Sequence, residues 1–248
     1  MKQVGVKSVR PSERQWLLGF GDPSENRIRE VFRAVIGQDV PDDGVNSDPV
    51  SLTVGPIRED QEYGGIRHEI VAQITTAKVR LQVDVGFGDA ITPEAGFAEF
   101  PALLDFPAPH LRTYPRETVV AEKLEAMVQL GVANSRMKDF HDVAVLAREF
   151  DFDGELLVRA IRATFERRRT PLPTTTPAAL TEAFSGDPTK KTQWSGFVRK
   201  AAVRDAGTLA DTVVAVRAFV EKPLMAAVAA GPALACWRAG GPWGVADG

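Results

Sequence analysis

The spacing of apolar residues changes once along this chain, near residue 115, and that change limits the fold more than any other feature. Before it the chain alternates. In the run from Lys78 to Phe87, the residues Val79, Leu81, Val83, Val85 and Phe87 fall on one side, and Arg80, Gln82 and Asp84 on the other. A period of two belongs to a β-strand. His68 to Thr75 follows the same rule with Ile70, Ala72 and Ile74 on one face, and Ser51 to Ile57 reads as a shorter strand. Beyond residue 115 the spacing becomes three to four, the mark of α-helix. Helices are expected over Glu117–Leu130, Ser135–Glu149 and Glu155–Arg167, and near Trp194–Val203 and Ala210–Ala229.

One helix precedes the strands. Glu25–Ile36 carries a stripe of Ile28, Val31, Phe32 and Val35, with Asp22 or Ser24 placed to cap it. Pro93 to Pro115 reads as a proline-rich connector and Thr170 to Pro177 as a Pro/Thr loop. The expected fold class is α+β. A strand-rich part spans residues 1–115, a helical part 116–230, and a flexible tail rich in Gly and Pro 231–248.

Composition excludes several classes. With 248 residues there is ample chain for a core, and a net charge of −3 provides no global basic field. The single cysteine, Cys236, rules out a disulfide within the chain and fits a reducing cytoplasm. No run approaches the roughly 20 apolar residues of a membrane span, and Met1–Arg10 lacks the apolar segment of a signal peptide. His68, His110 and His141 lie far apart and suggest no zinc site.

Three groups of residues stand out. Lys123 lies at the centre of an apolar face made by Val119, Val120, Ala126, Met127 and Leu130, with Glu122, Glu125 and Gln129 opposite. An ammonium there is paired, reaches water along its stem, or faces a cleft. Asp139 begins a row with Val143, Leu146 and Phe150, after a start that Ser135 can cap; Lys138 and Asp142 fall on the solvent side, where a surface ion pair accounts for them. Asp84 precedes Gly86 and Gly88 and is either solvent-facing or close to a ligand. The triplet Arg167-Arg168-Arg169 is a solvated helix end or a contact for RNA phosphates. No phosphate-binding glycine loop of P-loop or dinucleotide type is present, and no nucleophile elbow.

The runs Gln82-Val83-Asp84-Val85-Gly86-Phe87-Gly88-Asp89, Glu117 to Lys123 after Tyr114-Pro115, and Asn134 to Phe140 together resemble the AbiEii-type nucleotidyltransferases, the toxins of type IV toxin–antitoxin systems. The resemblance extends from about Leu17 to the final helices. It implies a nucleotidyltransferase-like mixed sheet with a helical C-terminal half. It also implies a Mg²⁺-dependent transfer of a nucleotide from an NTP to an RNA (tRNA) or protein acceptor, and a cognate antitoxin. On this reading Lys123, Asp139 and Asp84 are catalytic, Lys123, Arg136 and Lys138 bind nucleotide, and Asp84 holds the metal. Lys123, Asp139 and Asp84 are then expected around one cleft.

The chain departs from the family pattern at its start. In the family an upstream Gly-Ser and an Asp-x-Asp pair bind Mg²⁺ and triphosphate. Here the two aspartate positions fall on Arg14 and Trp16, ahead of Leu17-Leu18-Gly19-Phe20-Gly21-Asp22. Neither side chain ligates Mg²⁺. The sheet is therefore expected to be incomplete at its N-terminus, and the transfer activity impaired. The alternative is a non-catalytic relic, or a module that binds nucleotide or a partner.

Overall fold

The computed structural model describes residues 15–40, 44–57, 65–100, 105, 107–204, 206–229 and 235–244. The chain divides into two compact units, Met1–Asp89 and Ala90–Gly248.

The N-terminal unit runs β1 (Gln15–Gly19), α1 (Glu25–Ile36), β2 (Val45–Ser47), a single 3-10 turn at Pro49–Ser51, β3 (Thr53–Pro56), β4 (Ile66–Ile74) and β5 (Ala77–Phe87). The sheet order is β1-β5-β4-β2, with β3 also on β4. β1 is parallel to β5 and the other pairings are antiparallel, so the sheet is mixed, as expected. α1 begins at Ser24, whose hydroxyl accepts the Arg27 N–H, supplying one of the helix's four unpaired donors with a partner. Its apolar stripe is only partly covered: Ile28 and Phe32 join Ile66, Val83, Val85, Val54 and Phe87 in a small core, while Val35 is 62% exposed.

The register of β4 on β5 follows from the tight turn at Thr75-Thr76, where Thr75 takes φ 55°. Ile74 faces Ala77, and the pairing then runs back without interruption to Arg67 opposite Asp84. On its other side Asp84 faces Trp16 of β1. The faces of β5 are not polar and apolar as the alternation implies. Asp84 is fully buried, whereas Leu81 is 41% exposed.

The C-terminal unit contains β6 (Gly96–Glu99), β7 (His110–Thr113), α2 (Arg116–Leu130), α3 (Met137–Glu149), β8 (Phe152–Asp153), α4 (Gly154–Arg167), α5 (Glu182–Gly186), α6 (Pro188–Ala201), α7 (Leu209–Val228) and β9 (Cys236–Trp237), with 3-10 turns at Gly131–Ala133 and Ala178–Leu180. Two strands lie where a connector was expected, and a short helix lies in a stretch without an expectation. β6 and β7 pair within the proline-rich segment, because the prolines stand outside the four-residue strands. α5 forms after Thr181, whose hydroxyl caps it.

One core joins the helices, built from α2 (Leu124, Met127), α3 (Phe140, Val143), α4 (Leu157, Ile161, Phe165) and α7 (Val216, Phe219, Leu224). Each such side chain contributes roughly 1.5–3 kcal/mol by leaving water. Residues 235–244, expected as part of a flexible tail, are packed instead. β9 pairs with β8. Trp237 donates its indole N–H to the Ala147 carbonyl at 2.7 Å and Trp243 to that of Phe219 at 2.8 Å. Their rings close around Phe219, with centroids 5.0 and 5.9 Å away. Gly and Pro content signals loose structure only where no large apolar group anchors the segment, and here two tryptophans do.

Candidate functional site

Lys123 and Asp139 are brought together by the short link between α2 and α3. α2 ends at Gly131, whose φ of 48° suits a residue without a Cβ. Asn134 then closes the turn. It is fully buried, and its Oδ1 accepts the Arg136 N–H at 2.8 Å. This is the service expected of Ser135. The carbonyl of Asn134 accepts a hydrogen bond from Lys190 Nζ at 2.8 Å. Lys190, on α6, is itself buried, and its ammonium lies over the Phe184 ring at 5.2 Å. The start of α3 is thereby tied to α6 as well as to α2.

At the site, Lys123 Nζ lies 2.6 Å from Asp139 Oδ1 and 2.8 Å from Asp142 Oδ2. Arg136 Nε approaches the other Asp139 oxygen at 2.7 Å, and Lys138 Nζ lies 2.7 Å from Asp142 Oδ2. His141 Nδ1 is 3.7 Å from Asp142 Oδ1, and its ring is tilted against Phe197 of α6, 5.6 Å between centroids. The side chains of Lys123 and Asp139 are 18% and 6% exposed, those of Arg136 and Lys138 48% and 73%. An inner pair is thus flanked by two cations open to solvent.

Burial works against the Lys123 ammonium, but the charges of Asp142 and Asp139 outweigh it and hold the group above its ordinary value. Burial likewise opposes the Asp142 carboxylate. A hydrogen bond from His141 and the charges of Lys123 and Lys138 overcome it, and Asp142 is held well below the usual carboxylate range. Asp142 is the site residue that the sequence reading left in solvent. Its offset of three from Asp139, about 60° around the helix, turns it toward Lys123 instead.

Glu125 was expected on the polar face of α2 and is buried, 1% exposed. Arg168 Nη1 donates to its Oε2 at 2.8 Å, and the Thr170 hydroxyl donates to the other oxygen. Within the Arg167-Arg168-Arg169 triplet, then, Arg168 is an internal partner of α2.

Asp84 belongs to the N-terminal unit. Arg67 holds it there through two parallel hydrogen bonds, Nε to Oδ1 at 2.8 Å and Nη2 to Oδ2 at 2.9 Å, and Gln82 Nε2 lies 3.3 Å from Oδ1. Of the residues aligned with the family's Asp-x-Asp, Arg14 lies outside the described residues, and Trp16 occupies the β1 register position beside Asp84. The fit to Mg²⁺ is poor. A hard dication asks for several anionic or carbonyl oxygens, but both oxygens of this buried carboxylate already face a guanidinium. Among the described residues no group of three His, Cys, Asp or Glu side chains stands close enough to hold a metal ion.

A family model described as the nucleotidyl transferase AbiEii toxin of the type IV toxin–antitoxin system matches residues 12–215, a span that includes every site residue above. The match places the chain in the class of nucleotidyltransferase-type toxin domains. The chain belongs to the AbiEii family. Among solved structures it is similar to JHP933 from Helicobacter pylori, at 14% identity and TM-score 0.47 over 91% of this chain and 80% of that one. It is also similar to an H. pylori protein described as a candidate nucleotidyltransferase, at 12% identity and TM-score 0.37 over 77% and 72%. No curated protein matches the sequence. Among the described residues no helix is long and apolar enough to cross a membrane.

Proposed function

We propose that this chain is a nucleotidyltransferase-type toxin domain that holds the phosphates of an NTP at the Lys123 cluster and whose transfer of a nucleotide to an RNA, tRNA in particular, or protein hydroxyl is impaired. The observation that carries this reading is the Lys123 ammonium held 2.6 Å from Asp139 and 2.8 Å from Asp142 inside the segment that matches the family. Two carboxylates fix the lysine, and the exposed Arg136 and Lys138 add the positive charge that draws a polyphosphate. Asp139, engaged by Lys123 and Arg136, orients the two cations. In the full reaction an acceptor oxygen attacks the α-phosphorus, pyrophosphate leaves, and the acceptor proton passes to a base. Trp16 stands where the resemblance places one carboxylate of the Asp-x-Asp pair, and that substitution is the basis for impairment. NTP supply and the single cysteine suit the cytoplasm.

A second reading is favoured by the same ion pairs. A lysine enclosed by two carboxylates also serves as a purely structural link between α2 and α3, in a module that binds a partner such as an antitoxin. Titration of a fluorescent NTP into the protein, with and without Mg²⁺, separates the two. Binding should weaken about tenfold or more when Arg136 and Lys138 are both replaced by Ala, since each charge-assisted contact contributes about 1 kcal/mol or more. Labelling of tRNA from an α-labelled NTP should stay at background. Absence of NTP binding rejects the nucleotide reading; robust labelling rejects impairment.

A further inference from the structure

We infer that the Arg67 guanidinium occupies, in charge and in position, the place at Asp84 that the family resemblance gives to a divalent cation, so that Asp84 is one half of a structural ion pair and not a metal ligand. The inference concerns the N-terminal unit alone and stands whether or not the Lys123 cluster takes a nucleotide.

Three observations converge. The first is register: Arg67 is the antiparallel partner of Asp84 across β4 and β5, so the strand pairing itself sets the two residues side by side. The second is geometry, since two parallel hydrogen bonds of 2.8 and 2.9 Å engage both carboxylate oxygens. A bidentate pair of this kind satisfies the carboxylate in charge and direction together. The third is the other neighbour. The β1 position in register with Asp84 is Trp16, so neither flanking strand presents a second carboxylate there. A cation entering this site would have to displace the guanidinium from a residue with no exposure to water. Among the described residues it would meet a single carboxylate in return, in a place closed to the water with which Mg²⁺ completes its six oxygens. The same pair also accounts for a charge at the centre of a sheet, because a buried aspartate persists only with its charge compensated.

Mn²⁺ is the probe, used on the full chain. Its binding is followed by electron paramagnetic resonance of the free ion, and in parallel by the melting temperature. Wild type and Asp84→Asn should give the same Mn²⁺ isotherm, and Mn²⁺ should not raise the melting temperature of wild type relative to Asp84→Asn. A stoichiometric Mn²⁺ site present in wild type and lost in Asp84→Asn overturns the inference. The pair itself is tested by a cycle of Arg67→Met, Asp84→Asn and the double variant. Each single change should lower the melting temperature by about 5 °C or more, and the double by clearly less than the sum. Additive losses overturn it. Should Arg67→Met not fold, Arg67→Lys takes its place in the cycle: the charge remains, the second hydrogen bond is lost, and an intermediate melting temperature is expected. A melting temperature equal to wild type overturns the bidentate role. None of these readings depends on NTP, so failure here is distinguishable from failure of the Lys123 assignment.

Discussion

Lys123 Nζ stands between Asp139 and Asp142, one helix reaching the first two turns of the next through a single ammonium. Replacing it with Ala leaves two partly buried carboxylates less one cation. Arg136 and Lys138 remain to neutralise some of that charge, so Lys123→Ala should cost about 3 kcal/mol, the lower end of what breaking a buried pair costs. Chemical denaturation measures the loss, and thermal melts with and without NTP add the functional arm. A variant that melts like wild type but no longer responds to NTP would mean that Lys123 serves the ligand and not the fold.

Glu125 and Arg168 form an enclosed ion pair in the helical unit, with side chains 1% and 19% exposed. Arg168→Met should destabilise by about 3–5 kcal/mol, because it breaks the pair and leaves the buried Glu125 without its cation. Glu125→Gln combined with Arg168→Met should recover a good part of that loss, since neither product is ionised. Nucleotide binding should survive in the double variant. Urea unfolding of the single and double variants, read as a cycle, tests the coupling.

His68 sits buried on β4, stacked on Phe32 with ring centroids 4.2 Å apart, and neither ring nitrogen has a hydrogen-bond partner among the described residues. Burial holds the imidazole below its ordinary value of 6.5; the nearby Asp84 charge raises it in part, and Arg29 lowers it further. Below pH 6.5 the unfolded chain takes up a proton that the folded chain refuses, so this contribution is complete above pH 6.5 and declines as the pH falls toward the folded value. His68→Phe should flatten the loss of stability between about pH 6.5 and 5. An unchanged pH profile in that variant would exclude His68 as its source.

The Lys123 cluster behaves differently with pH. Asp142, depressed, contributes stability above its ordinary 3.8 and loses it as the pH falls through lower values. Lys123, raised, contributes below its ordinary 10.5 and loses that contribution as the pH climbs past it. Between these limits neither Lys123 nor Asp142 changes its own charge. The stability difference between wild type and Lys123→Ala, read by urea unfolding, should therefore shrink as the pH is carried past about 10.5.

Much of this was legible from residue order. α1 is found at the expected limits, β4 and β5 within two residues of them, and the contact of Lys123 with Asp139 follows from a lysine in an apolar stripe and an aspartate leading the next helix. Glu125 was misplaced for a physical reason. α2 is covered on most of its surface, so a helical wheel with an assumed polar face assigns a charged residue to solvent that is in truth satisfied by a distant arginine. Arg67 escaped notice because a cross-strand partner is invisible until the turn is fixed. With Thr75-Thr76 as that turn, the residue numbers of each pair sum to a constant, and Arg67 falls opposite Asp84. The burial of Trp237 and Trp243 has a signal in the sequence, two large aromatic residues in a segment otherwise made mostly of small ones, and their weight outdoes the Gly and Pro around them.

The packing of Trp237 and Trp243 against Phe219, which Phe152 also meets, has a consequence for the order in which the chain can fold as it is made. Residues 1–89 form a unit contiguous in sequence and can close early. The helical unit has no such freedom: the aromatic cluster between α3, α4 and α7 stays open on one side until residue 243 has left the ribosome. A nascent chain stopped a few codons short therefore presents Phe152 and Phe219 to whatever chaperone is at hand.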